Sequence, residues 1–311
     1  MAEQAGEFAN PSESLRRALI HLRLSFSVVL TPLFIWGIYL AQPVQIAWVH
    51  VLLAYCIIHI LLYGGMNAFN SYYDRDEGPI GALLEPPPVN HMVLFTALLC
   101  KAAALIGAML LDLRFGLLVA VAIALSVAYS HPLWRWKERP IYAAVCIFVG
   151  QGILGVLWGW TAATWTGAQT AGLLPIWPAG LVNTIGLLGA ACWTLGFYPL
   201  TGVYQIDADS RRGIRTLAVA LGVKGCFLFA AAVAPLGGLG VWIVLFAHRD
   251  YAAMAISGLY MLGAAYYIWR WYQRFAALTT RENQRVLMRL SYMNGLAFTI
   301  LFLALVLLSP K

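Results

Sequence analysis

The chain alternates long apolar stretches with short polar breaks. Apolar runs fall at 24–42, 46–69, 91–110, 114–131, 141–161, 178–202, 225–247, 251–269 and 288–308. About 20 apolar residues suffice to cross a bilayer, so the pattern predicts nine membrane-spanning helices. The period-two alternation of a half-buried strand is absent, and an open sheet cannot satisfy its edges in lipid. The predicted fold class is therefore all-α, a polytopic membrane protein. Residues 1–23 read as a cytoplasmic N-terminal segment, and 24–311 as a single transmembrane domain.

Composition strengthens this reading. Charged residues make up 11% of the 311 and hydrophobic residues 61%, whereas a soluble domain carries about 25% charged residues. Residues 24–73 and 140–206 contain no Asp, Glu, Lys or Arg. Twelve Trp and fifteen Tyr suit membrane interfaces and aromatic-lined cavities. The five cysteines are scattered through apolar runs without a CxxC pair, which indicates neither a disulfide framework nor a structural zinc site. The opening MAEQAGEFANPSESLRR lacks the basic start and short apolar core of a cleavable signal, so the first span is expected to be retained.

Charge placement predicts orientation. Seventeen of the twenty Lys and Arg lie in the N-terminal segment or near the connections after spans 2, 4, 6 and 8; the other three are Arg114, Arg249 and Lys311. The positive-inside rule then puts the N-terminus in the cytoplasm and the C-terminus outside. The net charge of +7 is accounted for by topology and gives no sign of a nucleic-acid partner.

The acids demand a separate cause, since they contribute little to topology. NSYYDRDEGPIG, residues 70–81, gathers Asn70, Asp74, Asp76 and Glu77 at the end of the second run. On a helix continued through Glu77, the residues Asn67, Asn70, Asp74 and Glu77 share a face and Asp76 points away. Gly78-Pro79 would stop that helix. The sixth run ends in YQIDADSRRGIRTLAVALG, residues 204–222, where Gln205 and Asp209 share a face and Asp207 does not. Amide-then-acid pairs with four-residue spacing thus recur four helices apart on one membrane side. This suggests two related four-helix halves plus one further helix.

Such oxygen donors suit magnesium, which binds through one or two carboxylates plus substrate phosphates. A diphosphate between two such faces would be neutralised further by Lys137, Arg135, Arg211, Arg212 and Arg215. Positive charge would then stand where a departing diphosphate develops negative charge. Acids at a helix end commonly sit in water without further role, but two clusters of matched spacing on one side favour a site. Asp76 and Asp207 lie off the inferred faces.

These residues resemble the UbiA superfamily of intramembrane prenyltransferases, whose nine helices surround a central cavity. Asn70 and Asp74 match the first two positions of that family's Asn-x-x-x-Asp-x-x-x-Asp motif. Asp209 matches the last acid of its Asp-x-x-x-Asp motif, and DSRRGIRTLAVALG follows the pattern after it. YSHPLWRWKERP, residues 129–140, resembles the family's segment between helices 4 and 5. There are two departures. Gly78 stands where a third acid is expected, so Glu77 or Asp76 would substitute, and helical phase favours Glu77. Gln205 stands where the second motif begins with an acid. The resemblance implies magnesium-dependent transfer of a prenyl group from an isoprenoid diphosphate to an aromatic or other electron-rich acceptor within the bilayer. Metal would be held by Asn70, Asp74 and Asp209, with Glu77, Asp76 and Asp207 as further candidates. Lys137, Arg211 and Arg212 would stabilise the leaving group. Asn67, Tyr73, Tyr129, Arg135, Tyr204, Gln205 and Arg215 would contact substrate.

Other positions carry weaker signals. His131 reads either as a base or as a helix-end residue before Pro132, and His59 as a cavity residue or an interhelical hydrogen-bonding group. Tyr72, Tyr73, Tyr198 and Tyr204 read as cation-facing or simple interface residues. GPIGALLEPPPVNH, residues 78–91, reads as a loop able to cover the site. Two rivals differ in chemistry. A cyclase of the same family would need no second substrate, and a transporter or lipid-binding scaffold would need no magnesium.

Overall fold

The computed structural model describes residues 10–166 and 176–308. Glu3, Glu7 and Lys311 lie outside them. Among the described residues nine helices are long and apolar enough to cross a membrane, and no strand is formed. They are α1 (Pro11–Ala41), α2 (Trp48–Asp74), α3 (His91–Leu111), α4 (Leu113–Ser130), α5 (Pro140–Ala163), α6 (Leu181–Arg211), α7 (Leu217–Ala247), α8 (Tyr251–Ala277) and α9 (Thr280–Leu308).

Their starts follow local chemistry. Asn10 caps α1, its side chain accepting from Ser12 N–H, with Pro11 at the first helical position. Asn90 caps α3, Asp112 caps α4 through Arg114 and Phe115 N–H, and Thr216 caps α7 through Val219 N–H. Three helices start earlier than hydropathy alone predicts. The first 11 residues of α1 are amphipathic, so no apolar run marks them. Leu217 and Thr280 begin α7 and α9 because a cap and a polar first turn precede the apolar stretch.

Two contacts between helices are set by backbone approach. A Cβ at Gly159 of α5 would collide with the Phe34 carbonyl of α1, and one at Gly37 with the Val156 carbonyl. Trp36 and Trp158 are buried beside this seam, and Trp36 Nε1 donates to the Gly186 carbonyl of α6 at 3.0 Å. Helices α6 and α7 also meet closely, with Gly237 against the Trp193 backbone. Many outward side chains are large and apolar, among them Leu52, Leu99, Leu110, Leu259 and Leu296, as a lipid-facing surface requires.

Irregular turns interrupt α1, α2 and α5. Arg23 breaks α1 with φ 49°, in the left-handed region. Wide π turns occupy Ile57–Leu62 in α2 and Phe148–Ile153 in α5. Helix α2 ends at Asp74, because Arg75 adopts φ 49° and turns the chain away. The expected continuation through Glu77 is therefore not formed.

Candidate active site

A cavity of about 430 Å³ opens between the helices. Its mouth gathers the C-terminal ends of α2, α4 and α6, represented by Asp74, Ser130 and Asp209. Helix C-termini carry partial negative charge, so this end attracts cations. Its body is apolar and aromatic, lined by Trp36, Leu33, Trp193, Phe197, Phe298 and Phe302 among others.

The last turns of α2 supply the first wall. Asn67, Asn70 and Asp74 all line the cavity. Asn70 is fixed at both ends of its amide: Oδ1 accepts from Ser130 Oγ–H at 2.9 Å, and Nδ2 donates to Asp74 Oδ2 at 2.9 Å. The other Asp74 oxygen pairs with Lys137. Lys137 sits on the short turn Trp136–Glu138 between α4 and α5 and is buried. Burial pushes its pKa down to about 8, opposed by the carboxylates of Glu138 and Asp209.

Asp76 follows the helix end and faces inward. It lines the cavity and meets Arg212 at 3.5 Å. Burial raises its pKa, opposed by Arg212 and Arg23. Glu77 is exposed and does not line the cavity. Helical phase favoured the opposite assignment, and the left-handed Arg75 is the reason it fails here.

Across the cavity, Asp209 comes from the last turn of α6. Thr216 Oγ1–H donates to Asp209 Oδ2 at 3.4 Å. Asp207 is exposed and outside the cavity, as are Arg211 and Arg215. Arg212, Arg135, Tyr129, Tyr204 and Gln205 do line it. Tyr129 and Tyr198 share a hydrogen bond of 2.9 Å between their hydroxyls. Gln205 is turned to the loop, its Nε2 donating to the Pro79 carbonyl at 3.0 Å. Tyr73 instead packs on Phe69 and His131, and His59 stacks on Tyr55 within α2; neither lines the cavity.

Hydropathy reasoning missed Arg23, which it assigned to topology alone. Arg23 is buried, lines the cavity, and donates from Nη2 to the Asn67 carbonyl at 2.9 Å. A lone cation just inside an otherwise uncharged stretch was the available signal. Loop residues Ile80 and Gly81 also reach the cavity. Gln284 of α9 donates to the Gly81 carbonyl, and Arg281 pairs with Glu85 at 2.9 Å, which ties the loop over the mouth.

The donor set fits a hard cation. Asp74, Asp76, Asp209 and the Asn70 amide all offer oxygen, the ligand type of magnesium. Among the described residues no three His, Cys, Asp or Glu side chains converge to form a complete metal cage. Carboxylates spread over two walls suit a cation that takes its remaining ligands from substrate phosphate and water.

The solved structure of a UbiA homolog from Archaeoglobus fulgidus bound to GPP and Mg2+ superposes with a TM-score of 0.69. The two are 17% identical, over 94% of this chain and all of that one, a likeness of fold. Among curated proteins, the lycopene elongase/hydratase of Haloarcula japonica is 27% identical over 190 residues, and that of Haloferax volcanii 26% identical over 191. These matches cover 56% and 58% of this chain, and this chain spans only about half the length of each relative, 57% and 56%. The model of the UbiA prenyltransferase family matches residues 30–293, and the chain belongs to that family.

Proposed function

We propose that the protein transfers a prenyl group from an allylic isoprenoid diphosphate to an electron-rich acceptor within the bilayer, with magnesium. One observation carries this reading. Acids from the ends of α2 and α6 meet Arg23, Lys137 and Arg212 at the mouth of one apolar cavity. The cavity thus offers a charged seat for a diphosphate and a greasy slot for its tail.

Asn70, Asp74, Asp76 and Asp209 would hold the metal, which when bound supplies positive charge to the departing diphosphate. Arg23, Lys137 and Arg212 reach the same mouth and neutralise the remaining phosphate oxygens. Asn70, pinned by Ser130, keeps Asp74 in register. The aromatic walls orient the chain, and the loop at Ile80 and Gly81 keeps water from the ionised donor. The positive-inside distribution supports a cytoplasmic mouth and N-terminus.

The curated relatives favour a particular acceptor class. Their names describe elongation and hydration of lycopene, so a polyene acceptor stands beside an aromatic one.

The test is diphosphate release by purified protein in detergent. Labelled dimethylallyl, geranyl and geranylgeranyl diphosphates are supplied with membrane lipid extract, with and without magnesium. Release is expected only with magnesium, reduced about a hundredfold or more by Asp74→Ala and by Asp209→Ala. Absence of both release and donor binding at millimolar magnesium would overturn the reading.

A further inference from the structure

Lys101 is the one lysine of α3, and no carboxylate pairs with it among the described residues. It lies ten residues into the helix, about 15 Å from its start, with 4% of its surface exposed. Ionisable side chains at such depth are costly and rarely idle. Its Nζ is 2.8 Å from Ser126 Oγ and 3.5 Å from the centre of the Phe69 ring. Ser126 lines the cavity. It lies one turn inward of Ser130, about 6 Å along α4, and Ser130 is the residue that fixes Asn70. Ser126 therefore stands immediately inside the diphosphate seat, where the first carbon of a seated donor and the acceptor would meet, and Lys101 stands behind it.

Prenyl transfer leaves a proton to dispose of, and two carboxylates of the diphosphate seat, Asp74 and Asp76, already pair with Lys137 and Arg212. Resting on the reading above, we propose that Ser126 and Lys101 form the relay that removes this proton. The allylic C–O bond breaks and its electron pair leaves with the diphosphate. A π bond or hydroxyl oxygen of the acceptor supplies the pair for the new bond to the prenyl carbon. The acceptor then gives a proton to Ser126 Oγ as the Ser126 hydroxyl proton passes to Lys101 Nζ. The product is neutral, and the proton leaves later to water. An uncharged amine costs less than an ammonium in apolar surroundings. The Phe69 ring face gives the ammonium a partner once the proton arrives. Ser126 touches the substrate in this scheme, and Lys101 acts through it.

The experiment separates ionisation from completion. Wild type, Ser126→Ala, Lys101→Met and Lys101→Arg are assayed with the labelled diphosphates and membrane lipid extract named above. Magnesium-dependent diphosphate release and formation of the prenylated product are measured in the same reaction. Product formation is expected to fall about a hundredfold in Ser126→Ala and Lys101→Met. Diphosphate release is expected to stay within about threefold, the label appearing as prenyl alcohol. Lys101→Arg places a permanent cation there, which cannot accept a proton, so it should fail as Lys101→Met does. Added ethylamine should restore product in Lys101→Met and leave wild type unchanged, which a packing role would not do. Release and product both at the wild-type level in Ser126→Ala and Lys101→Met would overturn the relay, as would full activity of Lys101→Arg. Parallel loss of release and product in the well-folded Ser126→Ala would do so too. Absence of magnesium-dependent release in wild type would instead overturn the prenyl-transfer reading.

Discussion

Asp76 and Glu77 are adjacent acids with opposite surroundings. Asp76 is half-buried against Arg212, while Glu77 points into solvent. Asp76→Asn is expected to lower magnesium-dependent diphosphate release about tenfold or more. Glu77→Gln should leave it within about twofold. Equal losses in that assay would return Glu77 to the site. The distinction was not legible in the sequence, since it turns on the left-handed φ of Arg75, and nothing in the residue type demands that conformation. Asn70 and Asp74 were legible because they lie four residues apart on a regular stretch of α2, where spacing alone fixes the face; Asp209 follows a 3-10 turn at Val203–Gln205, and its signal was the acid-rich end of the apolar run. Arg23 was not legible, because its role depends on α1 being broken there and brought beside Asn67.

At the scale of elements, hydropathy marked all nine spans, since burial in lipid acts on every residue of a run. It could not mark which faces pack together. The seam between α1 and α5 depends on Gly37 and Gly159, where each helix meets the other's backbone carbonyl. Gly159→Ala is expected to destabilise by more than the about 1–3 kcal/mol of ordinary overpacking. What the methyl meets is backbone, which cannot rotate aside. Loss of the folded fraction in detergent, followed by size-exclusion chromatography and thermal melting, checks this. A melting temperature equal to wild type would mean that the seam opens without cost.

At the scale of the whole molecule, the loop after α2 joins distant parts of the chain. Gln205 of α6 holds Pro79, and Gln284 and Arg281 of α9 hold Gly81 and Glu85. If this loop excludes water, Gln284→Ala should raise the ratio of prenyl alcohol to transferred product, with diphosphate release little changed. Chromatography of labelled products gives that ratio directly, and an unchanged ratio would show that the apolar walls alone protect the cation. The sequence pattern identified a loop able to cover the site but not its anchors, which lie more than 100 residues away along the chain.

The mouth carries its own counter-ions. Lys137 sits on Asp74 and Arg212 faces Asp76. On the proposed reading, loading the donor is an exchange of partners: each cation trades a carboxylate for a phosphate as the carboxylate trades it for metal. The pairing tempers the like charges at the edge of a low-dielectric slot. Neither metal nor donor alone completes the trade, so the two should arrive together, each strengthening the other's hold.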